Sequence, residues 1–394
     1  MVSTFTILSH IGGLKSGLGN RVFAKPLPVH QLPTTLARFH SVVAEFAKRE
    51  YGLAANGYSA GHFQDLTLLI WKWEDKPNSD FVCIPIIESK FCILSKYWAQ
   101  YYRFGTLSRD ANEFSFLFSL DEIPSLTLKG DYVYFGGHDT FGHWVPDHLG
   151  TGLHLASTIT KDNSPFLCFN LRDWQADFLS NLMPNRKFVN IDLSSFPVGP
   201  TKISVEALWL IDYIDIANRH SITRQAIADV AIRDGLSQNR ASPRLFYFER
   251  AARVRNTVPR VANSADLRDV VLGFGGVVVD PASLTMVDKI RNFFVEDSII
   301  VNEPGSGETN YSFFSTLGSK LVQLAPRGFL VNPNHHAVQA GWKYLLPRLD
   351  SISFLVGNQN DGVGDRLDDY LNAAVYSPTD LGRLLLELLA GVKS

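Results

Sequence analysis

Cysteine is scarce in this chain. Only Cys83, Cys92 and Cys168 occur in 394 residues, too few for a disulfide framework and without the paired spacing of a zinc site. Long hydrophobic runs are missing as well: no stretch approaches the ~18 uninterrupted apolar residues of a membrane span. The N-terminus has no basic region leading into an apolar run, because Phe5 to Leu8 is interrupted by Ser9 and His10. These absences give the expectation of a soluble, cytoplasmic protein in a reducing compartment. On that reading the sequon Asn310-Tyr311-Ser312 is idle. No surplus of charge exists either: 37 Lys and Arg against 39 Asp and Glu leave −2, which argues against a nucleic-acid partner. No Asp-x-Asp reads as a manganese site, and the acidic pairs Asp121-Glu122 and Asp368-Asp369 sit in polar stretches.

What the chain does have is bulk. Hydrophobic residues make up 45% and aromatics 12%, with 27 Phe, enough for more than one core, and the length suits two domains or three. Residues 1–125 read as a β-rich segment, with runs at Leu66–Trp73 and Phe81–Ile87; Pro85 points to an edge strand or a strand end. From about 131 strands and helices alternate: strand 131–135, helix from Pro146 to Ala156 with proline in its first turn, strand 166–169, helix 172–182, and strands 187–191 and 204–211. A polar helix from about Thr223 to Leu236 leads into a linker candidate at 237–243. The rhythm then restarts with strands near 245–248, 277–279, 298–301 and 320–324, separated by helices near 265–273, 283–294 and 310–317. Such alternation predicts α/β domains with parallel sheets. The last helix is the best marked: Ser377 at the N-cap, Pro378 next, Asp380 closing a capping box, Gly391 past the end, and a stripe of Leu381, Leu384, Leu385 and Leu388. The boundaries expected are 1–125, 126–240, 241–376 and 377–394.

Three segments could carry chemistry. The densest is Gly136–His148, where His138, Asp139, His143, Asp147 and His148 fall between a strand and a helix. Side chains at such a junction can meet a substrate as general bases; a metal site and simple helix capping are the alternatives. The second is an arginine series including Arg250, Arg255 and Arg260, with Arg250 at a strand exit where a guanidinium can hold a diphosphate in bidentate fashion. The third is Asn302–Asn310, with Gly305-Ser306-Gly307 between a strand and a helix. There the backbone can approach a ligand closely and helix N–H groups can meet a phosphate.

Together and in this order, over roughly residues 130–330, these segments resemble glycosyltransferase family 61, which includes plant xylosyltransferases and animal O-linked N-acetylglucosaminyltransferases. The chain looks like a bacterial-like or viral-like member. The resemblance is carried by Phe141-Gly-His143-Trp144-Val-Pro-Asp147, Trp174-Gln175, the strand ending at Arg250, and Arg260-Val-Ala-Asn263-Ser-Ala-Asp266. It continues through Gly273-Phe274, Pro281-Ala-Ser-Leu284-Thr285 and the 302–310 turn. That turn departs from the family: its histidine is Pro304 here, its first glycine Asn302, and its leucine Glu308.

The resemblance implies an α/β fold of GT-B type, with two Rossmann-like domains facing across a cleft and a C-terminal helix crossing back to the first domain; the β-rich N-terminal extension, which the resemblance does not cover, is expected to pack on the first domain. It implies inverting, metal-independent transfer from a nucleotide sugar, a uridine diphosphate sugar being the expected donor, with no further cofactor. The acceptor it implies is a glycan or glycolipid. No transmembrane segment is expected, and a peripheral contact at the inner membrane face is compatible. Asp147 is the expected base and His143 the second choice, with His138, Asp139, Trp144 and His148 around the acceptor. Arg250, Arg255, Arg260, Glu303, Gly305, Ser306, Gly307, Thr309 and Asn310 would hold the donor. The rival readings are a polysaccharide pyruvyltransferase-like enzyme and a non-catalytic sugar- or nucleotide-binding protein.

Overall fold

The computed structural model of the chain describes residues 4–8, 21–25, 58–72, 81–87, 91–93, 104–107, 113–137, 141–158, 163–211, 216–236, 245–249, 260–293, 296–304, 307–316, 318–326, 352–358 and 373–391. The described residues as far as Ile222 make up one unit, and those from Thr223 onward a second. The fold is mixed α/β.

The first unit is built on one large sheet. Its strands are β1 (Thr4–Leu8), β2 (Arg21–Lys25), β3 (Tyr58–Lys72), β4 (Phe81–Ile87), β5 (Phe91–Ile93), β6 (Gly105–Leu107), β7 (Glu113–Phe116), β8 (Ser125–Gly136), β9 (Phe166–Phe169), β10 (Phe188–Ile191) and β11 (Gly199–Ile211). Their spatial order is β10-β9-β8-β11-β3-β4-β5-β1-β7-β6, with β2 also on β3. The pairs β10/β9, β9/β8 and β8/β11 are parallel, and β3 meets β11 antiparallel along almost its whole length. The N-terminal strands therefore continue the sheet of the following α/β segment by hydrogen bonding. One face holds Phe63, Leu66, Leu68, Leu208, Leu210, Tyr134 and Leu167 as a core.

Pro85 lies on an interior strand, not an edge. Its cost is limited because the ladder between β4 and β5 engages only Ile86 and Ile87, just beyond the proline.

The first helical segment also differs from expectation. It starts at α1 (Phe141–His143), passes through a π-helical stretch at Trp144–Leu149, and continues as α2 (Gly150–Thr158). Pro146 thus sits inside the helix instead of opening it. A proline has no N–H to give and crowds the carbonyl four residues back, and the wider π turn absorbs both defects. α2 lies against β8 at Gly152, where a Cβ would come within 2.1 Å of the Phe135 ring. Next comes α3 (Asp173–Leu182), capped by Gln175, whose side chain accepts from the Arg172 N–H at 2.7 Å. α4 (Ile216–Arg233) begins a full two turns before the predicted Thr223, and the division between the units falls within it.

The second unit holds β12 (Leu245–Phe248), β13 (Val277–Val279), β14 (Ile299–Asn302), β15 (Lys320–Pro326) and β16 (Ile352–Gly357), in the order β13-β12-β14-β15-β16 and all parallel. The helices are α5 (Ser264–Gly273), α6 (Met286–Phe293), α7 (Gly307–Phe314) and α8 (Pro378–Ala390). Leu267 and Val271 of α5 and Leu381 and Leu385 of α8 share a core with Tyr247, Val301 and Leu324 on one face. On the other face Phe293 of α6 meets Phe246 and Phe248, and α7 lies beside α6. The sheet is doubly wound. α8, which the resemblance would send back to the first domain, has its leucine stripe in this unit's own core, and Ser377 caps it as expected by accepting from the Asp380 N–H. Among the described residues no helix is long and apolar enough to cross a membrane.

Candidate functional site

In an open parallel sheet, chain crossovers leave a crevice at the carboxyl ends of two neighbouring strands whose following helices go to opposite faces. Here those strands are β12, followed in sequence by α5, and β14, followed by α7. Residues from the arginine series and the 302–310 turn meet at this edge: Arg260 Nη1 donates to the Pro304 carbonyl at 3.3 Å. Beside them Glu303 is buried, and its Oε1 accepts from Tyr247 OH at 2.8 Å and from Ser264 Oγ at 2.6 Å. Glu303 thereby fastens the end of β14 to β12 and to the first turn of α5. Burial, with the Glu303 charge adding to it, pushes the hydroxyls of Tyr247 and Tyr376 well above the usual tyrosine range. Asn263 clamps the Tyr376 backbone from both sides, its Nδ2 donating to the carbonyl at 2.8 Å and its Oδ1 accepting from the N–H at 3.0 Å. Asn302, one residue before Glu303, is buried and donates from Nδ2 to Gln323 Oε1 at 2.9 Å. Asn310 is buried in α7.

The other predicted residues lie in the first unit. Asp147 stands in the π-helical stretch, its carboxylate Oδ1 2.8 Å from Arg219 Nη1. The same nitrogen donates to the Asp147 carbonyl at 3.2 Å, which also accepts from Thr151 Oγ1. Arg219 is wholly buried, and 17% of the Asp147 side chain is accessible. A widened helical turn thus has the Asp147 carbonyl satisfied by two side chains, and the carboxylate is held by a third contact. Trp144 is fully buried, packed against Phe135, Trp174 and Phe178. Its place is in the core, away from solvent. His148 is buried too, close beneath Gly136, whose φ of 78° and missing side chain let the end of β8 approach the imidazole.

His138, Asp139, Arg250, Arg255, Gly305 and Ser306 lie outside the described residues, as does the 237–243 linker candidate. His143, Gly307 and Thr309 are in helices, but their side chains are not described. Among the described residues no group of three His, Cys, Asp or Glu side chains could hold a metal ion.

Sequence reasoning missed Arg219, Tyr247, Ser264 and Tyr376. Arg219 escaped because the expected helix starts only at Thr223, which leaves position 219 outside any predicted element. Tyr247 is the third residue of an apolar strand run and reads as core, which it also is. No protein-family model and no curated protein matches the chain.

Proposed function

We propose that the chain is an inverting, metal-independent glycosyltransferase that moves a sugar from a nucleoside diphosphate, uridine diphosphate first among them, to a hydroxyl of a glycan or glycolipid. In this reading the two units are the halves of a GT-B enzyme, with the donor on the second and the acceptor on the first. One observation carries it: at the crossover edge of the doubly wound parallel sheet, Arg260 reaches the turn that follows β14. A diphosphate leaving there would be met by guanidinium charge and by the N–H groups that open α7. Glu303 supports the site by shaping it, since two hydroxyls hold its Oε1. The acceptor hydroxyl needs a base, and the resemblance nominates Asp147.

A thermal-shift panel of uridine, guanosine and thymidine diphosphate sugars tests the reading, because a ligand of the folded state raises the melting temperature by mass action. The expected result is a rise with one nucleotide class that Arg260→Ala removes. No shift at millimolar concentration with any of them counts against it, and a shift with phosphoenolpyruvate instead would favour pyruvyl transfer.

A further inference from the structure

The large sheet of the first unit carries a polar trough that the resemblance did not mark. Residues paired across neighbouring strands share a face, so the register of β8, β11 and β3 shows what that face presents. At one end Leu69 of β3 is covered by the aromatic cluster of Phe104, Phe114 and Phe116. At the other, Phe135 of β8 is covered by α2 and Trp144. The rows between are polar. Thr127, Ser204 and Thr67 stand in one, and Asp131, Ala207 and Gln64 in the next. Thr127 and Gln64 are exposed, and Ser204 and Thr67 are half-buried. In the third row His62 stacks on the indole of Trp209, with ring centroids 4.7 Å apart and 17° between planes. The buried methyl group of Ala207 forms the floor between Gln64 and Asp131.

Strict alternation would not build these rows. Ile203 and Val205 of β11 belong to the core on the opposite face, and so do Leu208 and Leu210. Side chains alternate along a strand with period two, so β11 must exchange its sides between 205 and 208, which brings Ala207 and Trp209 to the side of Ser204. β3 makes the same exchange between Leu66 and Phe63. Two backbone irregularities lie at this level. Asp65 of β3 has φ 51°, and Gly130 of β8 has φ 110° where the register against β11 shifts, its N–H donating to Glu206 Oε2 at 2.7 Å. Bulges and residues of positive φ collect at binding sites.

The chemistry of the trough selects its occupant. His62 Nε2 lies 2.9 Å from Asp131 Oδ2 without a hydrogen bond, and Asp131 Oδ1 has no donor. The two side chains, 19% and 35% accessible, thus keep unmet hydrogen-bonding capacity, which is costly when left so. A hydroxyl, which both donates and accepts, is the group that meets it. Lys202, the cation in the row of Leu69, spends its ammonium on the Leu120 carbonyl at 2.8 Å, so these rows hold nothing for an anionic polymer. Their hydroxyls, amide and carboxylate leave little apolar surface for an acyl chain or an amphipathic helix. β11 and β3 are paired on both sides, so an extended peptide finds no open edge on them. We propose that this trough binds a neutral oligosaccharide, whose ring hydroxyls bond to Gln64, Thr127 and Asp131. The proposal goes beyond the transferase reading, because the binding needs no nucleotide, no reaction and no part of the second unit.

Affinity electrophoresis of the full chain tests this, in native gels cast with glucomannan, arabinoxylan or dextran and without nucleotide. At least one of the three is expected to retard the chain. Gln64→Ala/Thr127→Ala should weaken that binding about tenfold, as the loss of two hydrogen bonds implies. Both side chains are exposed, so the variant should melt where the parent does. If it melts lower, the single variants decide, each expected to weaken binding about threefold. Arg383→Ala, at an exposed side chain of α8 in the second unit, should be retarded like the parent. No retardation in any gel, undiminished retardation of the trough variants, or an equal loss in Arg383→Ala overturns the proposal. So does stronger retardation by heparin than by every neutral polymer. A chain that no polysaccharide retards but that a nucleotide sugar stabilises against heat would leave the transferase reading standing and this one fallen.

Discussion

At the scale of single residues, the chain's sharpest constraints come from small side chains and buried protons. A methyl group at Gly152 would press into the Phe135 ring at the centre of the helix–sheet contact. Gly152→Ala is expected to cost about 1–3 kcal/mol by overpacking, read as a lower urea midpoint with an unchanged slope. Tyr247→Phe removes the hydroxyl that donates to the buried Glu303 and should cost about 1.5–3 kcal/mol; Ser264 remains as the second donor, so the variant still folds. Stability should also fall at alkaline pH. Burial pushes the Cys83 thiol up to about 12 against a lowering contact from Tyr134, and burial raises Cys168 likewise. An unfolded thiol ionises near 9. Between pH 9 and 12 the native chain therefore holds more protons than the unfolded one, so stability drops as pH rises there and is untouched below 9. A urea midpoint lower at pH 10 than at pH 8, with a shallower drop in a Cys83→Ala/Cys168→Ala variant, is the expected outcome. Equal midpoints in the parent chain would contradict it.

At the scale of elements, legibility followed local signals. α8 was readable to the residue because Ser377, Pro378, Asp380 and the leucine stripe all act within the helix itself. Ser377→Ala should cost about 1 kcal/mol in thermal or urea unfolding. The strands 166–169, 245–248 and 277–279 were equally plain as short apolar runs. Elements settled by distant partners were not. Proline at 146 signals a helix start, yet the helical segment begins five residues earlier, at Phe141, and carries Pro146 inside its π-helical stretch. β16 went unread because its fully buried residues are few and its place is fixed by pairing with β15. The site was split in the same manner. The turn after β14 and Arg260 were visible as motifs, whereas Tyr247, Ser264 and Arg219 matter through contacts with residues tens of positions away.

At the scale of the whole molecule, the order of strands decides what depends on what. β1 lies between β5, which it meets in parallel, and β7, which it meets antiparallel; among the described strands β6 and β7 reach the rest of the sheet through β1 alone. The five residues of β1 act as a keystone. Deleting residues 1–8 would bare two fresh hydrogen-bonding edges and strand the β6–β7 hairpin, an invitation to self-association. Such a truncation is expected to sediment as aggregates, where a single interior substitution such as Tyr247→Phe stays dispersed. An expression tag is accordingly safer at the other terminus, beyond Gly391, than fused tightly ahead of Thr4.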